Sequence, residues 1–144
     1  MAWTWHNVQY QVPQPNGTAL LYVNASGQAD ASDETDKVLV DASALLPVSP
    51  AKIEIEYLRI SAGGVFVRLE WDATTDDLIV ACPTDNTLEY PPGQWAADKA
   101  DLFNGSFIKD PASTGSTGDI LLTTLGGAAG DGVSIQARLR LHKT

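Results

Sequence analysis

Residues 52–71 read KIEIEYLRISAGGVFVRLEW, and the spacing of apolar side chains in that stretch decides the class of fold. Ile53, Ile55 and Tyr57 alternate with Glu54 and Glu56. Past Gly63-Gly64, the residues Val65, Val67, Leu69 and Trp71 alternate with Phe66, Arg68 and Glu70. A period of two puts successive side chains on opposite faces of an extended strand, whereas a helix would repeat near 3.6. Glycine accepts the positive φ of a tight turn, so the pattern predicts a β-hairpin. Ile55 would face Leu69, Ile53 would face Trp71, and Glu56 would face Arg68 on the solvent side. The alternation slips at Tyr57-Leu58, after which Ile60 takes the inward phase, and that slip predicts a β-bulge.

Outward from this stretch the same period recurs. WTWHNVQYQV (3–12), TALLYVN (18–24), KVLVDA (37–42) and DLIVAC (77–82) read as further strands. In the closing run GDILLTTLGGAAGDGVSIQARLRLHKT (118–144), Ile135, Ala137, Leu139 and Leu141 alternate with Gln136, Arg138, Arg140 and His142. Between the strands lie PQPNG, NASGQADASDETD, LPVSP, DATTDD, YPPGQW and KDPASTGSTGD, rich in residues that fix or reverse φ or bond their own backbone. Residues 92–103, PGQWAADKADLF, hold the one segment suited to a short helix. About eight short strands with regular turn signals predict an all-β fold, a β-sandwich or jelly roll of antiparallel sheets with at most one short helix. No repeat or linker divides the chain, so residues 1–144 read as one domain, with 1–12 as an arm or an edge strand.

Composition narrows the function. Nine Lys plus Arg against eighteen Asp plus Glu leave a net charge of −9, which repels phosphate backbones and disfavours nucleic acid as a partner. No run of about 18 apolar residues is present to span a membrane as a helix. The start MAWTWHNVQYQV lacks the basic and apolar regions of a secretory signal. A single cysteine, Cys82, fits maturation in a reducing cytoplasm.

Candidate chemistry is sparse. GGAAGDG (126–132) has no Lys-Ser/Thr after it and precedes a strand, so it reads as a hairpin turn between two strands rather than a phosphate cradle. Asp30, Asp33, Glu34 and Asp36 crowd one acidic loop. That set offers hard oxygen ligands but lacks the glycine and closing Glu of an EF-hand, so it is read as a solvated loop with no metal assigned. His6 and His142 sit at opposite ends of the chain, no nucleophile elbow is present, and Cys82 ends an apolar run. No catalytic residue and no cofactor is assigned, and the chain is expected not to be an enzyme. Trp71 falls in the buried phase. Trp95 is either a loop anchor or a contact for a sugar or partner. Trp3, Trp5 and His6 precede the first turn, where they either reach a neighbour or pack in their own sandwich.

The opening MAWTWHNVQY, the small-residue-rich loops, and the ending TGDILLTT followed by a Gly/Ala turn and VSIQARLRLHK carry a resemblance. In these features the chain resembles the small all-β virion proteins of tailed bacteriophages, head decoration (cement) proteins above all. The resemblance implies a β-sandwich, often trimeric, made in the host bacterial cytoplasm and bound to the capsid exterior. The major capsid protein or another virion protein would be its partner. It carries no set of functional residues across. Trp3, Trp5, His6 and Trp95 are the candidate partner contacts on the reading of the residues themselves. The competing expectations are a carbohydrate-binding module, reading sugars with Trp95 and its neighbours, and a tail or fibre component.

Overall fold

A computed structural model describes residues 3–15, 17–45, 51–90 and 108–143. Among these residues ten strands run in chain order: β1 (Thr4–Gln14), β2 (Thr18–Gln28), β3 (Lys37–Val40), β4 (Ala51–Gly63), β5 (Phe66–Trp71), β6 (Asp77–Cys82), β7 (Asn86–Tyr90), β8 (Ile108–Lys109), β9 (Ile120–Leu125) and β10 (Gly132–Lys143). They form an all-β sandwich. One sheet has the order β1-β2-β10-β4-β7, with β8 also on β4, and the other has the order β3-β9-β5-β6. Every pairing is antiparallel. The helix expected over 92–103 lies outside the described residues.

The central hairpin does not form. β4 and β5 belong to different sheets, so Ile55 lies opposite Leu139 rather than Leu69, and Trp71 lies opposite Ile120 and Asp77 rather than Ile53. Gly63-Gly64 instead turns the chain across the core. Gly64 has φ +80, and a Cβ there would stand 2.1 Å from the Asp131 carboxylate, while its N–H donates to Asp85 Oδ1 at 2.8 Å. The Gly/Ala turn at 126–131 makes the same kind of crossing, since β9 lies in the four-stranded sheet and β10 in the other. The physical reason is shared. Alternation fixes which side chains face inward, and two inward-facing strands are buried equally well side by side or across the core from each other.

The phase slip in β4 corresponds to an irregularity in the ladder. Arg138 pairs with Tyr57 and Leu139 with Ile55, so Glu56 is the extra residue. Inward positions pass from Ile53 and Ile55 to Leu58, Ile60 and Ala62, and Tyr57 is only half-buried rather than a core residue. Glu56 does not face Arg68. It is buried on the outer side, where Arg138 Nε donates to it at 3.0 Å and Arg140 Nε donates to its other oxygen. Arg68 pairs instead with Glu70, two residues along its own strand, at 2.9 Å.

Between the sheets, Leu21, Ile53, Ile55, Ile60, Leu69, Trp71, Leu122, Ile135, Leu139 and Leu141 are fully buried. The closing strand's faces fall as the alternation predicts, and Cys82 packs as a small hydrophobe. Leu139 touches both neighbours of β10, opposite Leu21 and Ile55. Leu139→Ala is expected to cost about 2–5 kcal/mol through lost transfer energy and the cavity left behind. Chemical denaturation measures this, and an unchanged midpoint would mean the strand's faces are reversed.

Candidate interaction surface

β1 inverts the usual division between a core face and a solvent face. Its register with β2 runs unbroken from Thr4↔Gln28 to Gln14↔Thr18. Trp5, Asn7, Gln9 and Gln11 therefore share one face, and His6, Val8, Tyr10 and Val12 share the other. The amides belong to the inner side. Asn7 Nδ2 and Gln9 Nε2 both donate to the Leu39 carbonyl, at 3.1 and 2.9 Å. Leu39 sits where the β3–β9 register shifts, between Val38 and Val40. Two amides thus satisfy a carbonyl at an irregular point of the opposite sheet's edge, a requirement an aliphatic side chain would leave unmet.

The consequence is an apolar outer face. Val8 is 62% exposed and Tyr10 57%, and Val12 is exposed as well. Tyr10 stacks on Tyr22 of β2, its ladder partner, with ring centroids 5.0 Å apart. A groove of about 330 Å³ runs beside them, lined by Val8, Tyr10, Tyr22, Asn24, Tyr57 and Gln136 among others. Tyr57 Oη donates to Glu89 at 2.9 Å. Burial pushes the Tyr57 phenol above its usual pKa, and the Glu89 bond and charge push the same way.

The N-terminal tryptophans have other tasks. Trp3 is 5% exposed and donates its Nε1–H to the Ser32 carbonyl at 2.7 Å, so it is a core residue and not an arm that reaches a neighbour. Trp5 is half-buried, stacked on Trp3 at 5.7 Å, with the Lys37 ammonium 5.3 Å from its ring. A Cβ on Gly27 would lie 2.8 Å from three atoms of the Trp5 ring, so glycine is what lets the ring lie against β2. His6 stays exposed beside Val8, and Trp95 lies outside the described residues. What the sequence reading missed is the set Val8, Tyr10 and Val12: it placed 3–12 in a strand but assigned these three residues to no face.

The acidic loop is a strap rather than a ligand cage. Asp33 accepts from the N–H groups of Gly126 and Gly127 at 3.1 and 2.8 Å. Glu34 N–H donates to the buried Thr124 hydroxyl oxygen, and Asp36 N–H donates to that of Thr123. Asp36, Glu70 and Asp76 bring carboxylate oxygens within 4.8 Å of one another, with Arg68 already against Glu70. Cys82 is 0% exposed, and burial raises its thiol pKa, which opposes nucleophilic use. Asp119 accepts the Ala42 N–H at 2.8 Å, yet burial raises its carboxyl pKa above 3.8, with the Asp41 and Asp72 charges adding to the rise.

No family model and no curated protein matches this sequence. Among solved structures, the chain is similar to a tyrosine-to-alanine variant of a family 29 carbohydrate-binding module. The TM-score is 0.35 at 8% identity, over 97% of this chain and 93% of that one.

Three outcomes are expected. Trp3→Ala should cost about 3–5 kcal/mol, as loss of a buried tryptophan does, and removal of residues 1–6 should destabilise the fold. Urea unfolding measures both, and a truncated chain as stable as the intact one would return Trp3 to the surface. Asp119 favours its protonated form more in the folded than in the unfolded chain. Its contribution is therefore full below pH 3.8 and is lost as pH rises through the folded-state value. Asp119→Asn, which keeps an oxygen for Ala42, should melt above wild type at pH 7 and lose that advantage as pH falls to 3.8. An advantage independent of pH would assign the effect to something other than this carboxyl.

Proposed function

We propose that this chain is a non-enzymatic structural protein of a tailed-phage virion, one that decorates and stabilises the capsid by binding the major capsid protein or a neighbouring virion protein. The observation that carries the reading is the outward apolar stripe of Val8, Tyr10 and Val12 on an ordered N-terminal strand. Contiguous exposed apolar surface rimmed by polar groups is characteristic of protein-binding sites. Tyrosine anchors such surfaces well, because it covers much area with few rotatable bonds. The sequence resemblance supplies the context of a capsid exterior. A net charge of −9 opposes capture by the packaged nucleic acid.

A second reading, carbohydrate binding, is favoured by the amides of Asn24 and Gln136 beside three tyrosines in the groove. Against it, Tyr10 and Tyr22 spend ring faces on each other, at an interplanar angle of 13°. A sugar needs such a face free.

Mass spectrometry of purified virions from the source, with cryo-EM to place the chain, should find it on the capsid surface. Tyr10→Asp should weaken co-sedimentation with capsids at least tenfold in a chain that still folds, its melt lowered only by the lost stacking on Tyr22. Wild-type binding should persist in 1 M salt, where the Debye length is about 3 Å. A chain absent from virions, with oligosaccharide titration quenched by Tyr10→Asp, would replace this reading with the second.

A further inference from the structure

Among the described residues the sandwich has four sheet edges, and they are unequal. β3 has four residues and a shifted register, β6 has six residues and pairs with β5 through another shift, and β7 has five residues and carries Glu89. Short length, irregular register and charge are the devices by which proteins blunt an edge against further pairing. β1 has none of these three, and its one proline, Pro13, lies near its end. It is eleven residues long, its ladder with β2 has no bulge, and TWHNVQYQVPQ contains no Lys, Arg, Asp or Glu. Among the described residues β1 has a single strand neighbour, β2.

We propose that the chain binds a second copy of itself through this free edge, β1 pairing antiparallel with β1 across a two-fold axis so that two sheets become one. Charge selects the occupant. Copies of a chain carrying −9 repel, and β1 is where they approach without setting carboxylates face to face. The pattern is also self-complementary. Any in-register antiparallel pairing about a two-fold keeps odd with odd and even with even, so the Val8, Tyr10, Val12 stripe continues onto its own copy.

Pro13 sets the register. It has no N–H to give, and in an unbroken ladder it occupies a position whose N–H would point away from β2. Odd positions therefore turn their backbone groups to the free edge, and the new ladder runs over Trp5, Asn7, Gln9 and Gln11 and stops at Pro13. Centring that span places Val8 on the two-fold axis. It pairs Asn7 with the partner's Gln9 and Trp5 with the partner's Gln11. A separate observation favours the same register. Within β1, Trp5 Nε1 and Gln11 Oε1 are buried polar atoms with no hydrogen-bond partner among the described residues, one a donor and one an acceptor. The pairing sets that donor and that acceptor on adjacent positions of the inner face. This inference goes beyond the capsid reading and does not depend on it.

The test uses the full chain. Sedimentation velocity should show a concentration-dependent dimer, where the sequence resemblance implies a trimer. Val8 is exposed, so Val8→Lys should fold as wild type, checked by its melt, and weaken the dimer tenfold or more by opposing two ammonium groups at the axis. Leu78→Lys, an equally exposed change on the β6 edge, should leave the dimer unchanged. Val8→Cys should form an intermolecular disulfide under mild oxidation of the native protein, because a non-hydrogen-bonded antiparallel pair stands about 4.5 Å apart at Cα. The buried Cys82 takes no part. The proposal is overturned by a wild-type chain that stays monomeric throughout the concentration range, by a trimer, by self-association that Leu78→Lys abolishes and Val8→Lys does not, or by Val8→Cys that fails to cross-link.

Discussion

The sandwich depends on where its last strand lies. β10 is inserted between β2 and β4, pairing residues 132–142 with 18–28 on one side and residues 132–143 with 51–63 on the other. Without it the β1–β2 hairpin and the β4–β7 pair are separate ribbons, and a two-stranded ribbon is at best marginally stable in water. Every inward side chain of β10 therefore meets a partner from the first third of the chain and one from the middle. Long loops must close before those contacts form, so topology of this kind folds slowly compared with local hairpins. Glu56, the extra residue in β4, ties the two middle strands again on their outer side through Arg138 and Arg140. Part of the cost of burying that carboxylate is offset by two charged hydrogen bonds.

The acidic composition has an internal explanation. Asp33, Asp41, Asp76, Asp85, Asp110, Asp119 and Asp131 each accept a backbone N–H in a turn or crossing. A chain that passes repeatedly between two sheets has many N–H groups outside any ladder, and a short carboxylate side chain satisfies them with little loss of rotamer freedom. The charge follows from this loop chemistry before any partner is invoked. It still shapes what the surface tolerates, because contacts between copies are restricted to its neutral regions.

Strand positions were legible because burial writes a period of two into the sequence. DLIVAC marks β6 residue for residue, and the inward phase of Ile135, Leu139 and Leu141 was correct. Partners were not legible. KIEIEYLRISAGGVFVRLEW looks like a hairpin because a Gly-Gly turn between alternating strands serves a hairpin and a sheet crossing alike. What distinguishes them is remote: the Asp131 carboxylate fills the space over Gly64, and Asp85 takes its N–H. The interaction surface was hidden by the same rule that revealed the strands. Apolar residues at alternate positions ordinarily face the core, and Val8, Tyr10 and Val12 do not.

That exception follows from its place in the fold. An inner face at the sandwich margin has little apolar surface to meet, and here it meets a bare carbonyl, Leu39, which two amides satisfy. Once Asn7 and Gln9 are committed inward, parity sends Val8, Tyr10 and Val12 outward. The apolar residues thus lie on a long strand that carries no charge and, among the described residues, has a free edge. A strand of this length needs β propensity to stay extended, and valine and tyrosine supply it on whichever face is left to them. Local stability of β1 and an adhesive outer surface therefore come from the same residues. A charged replacement at one such position gives up at most about 1 kcal/mol of that preference, so the strand keeps its place in the ladder with β2 while its surface is silenced, and the two effects separate when binding and melting are measured on the same variant.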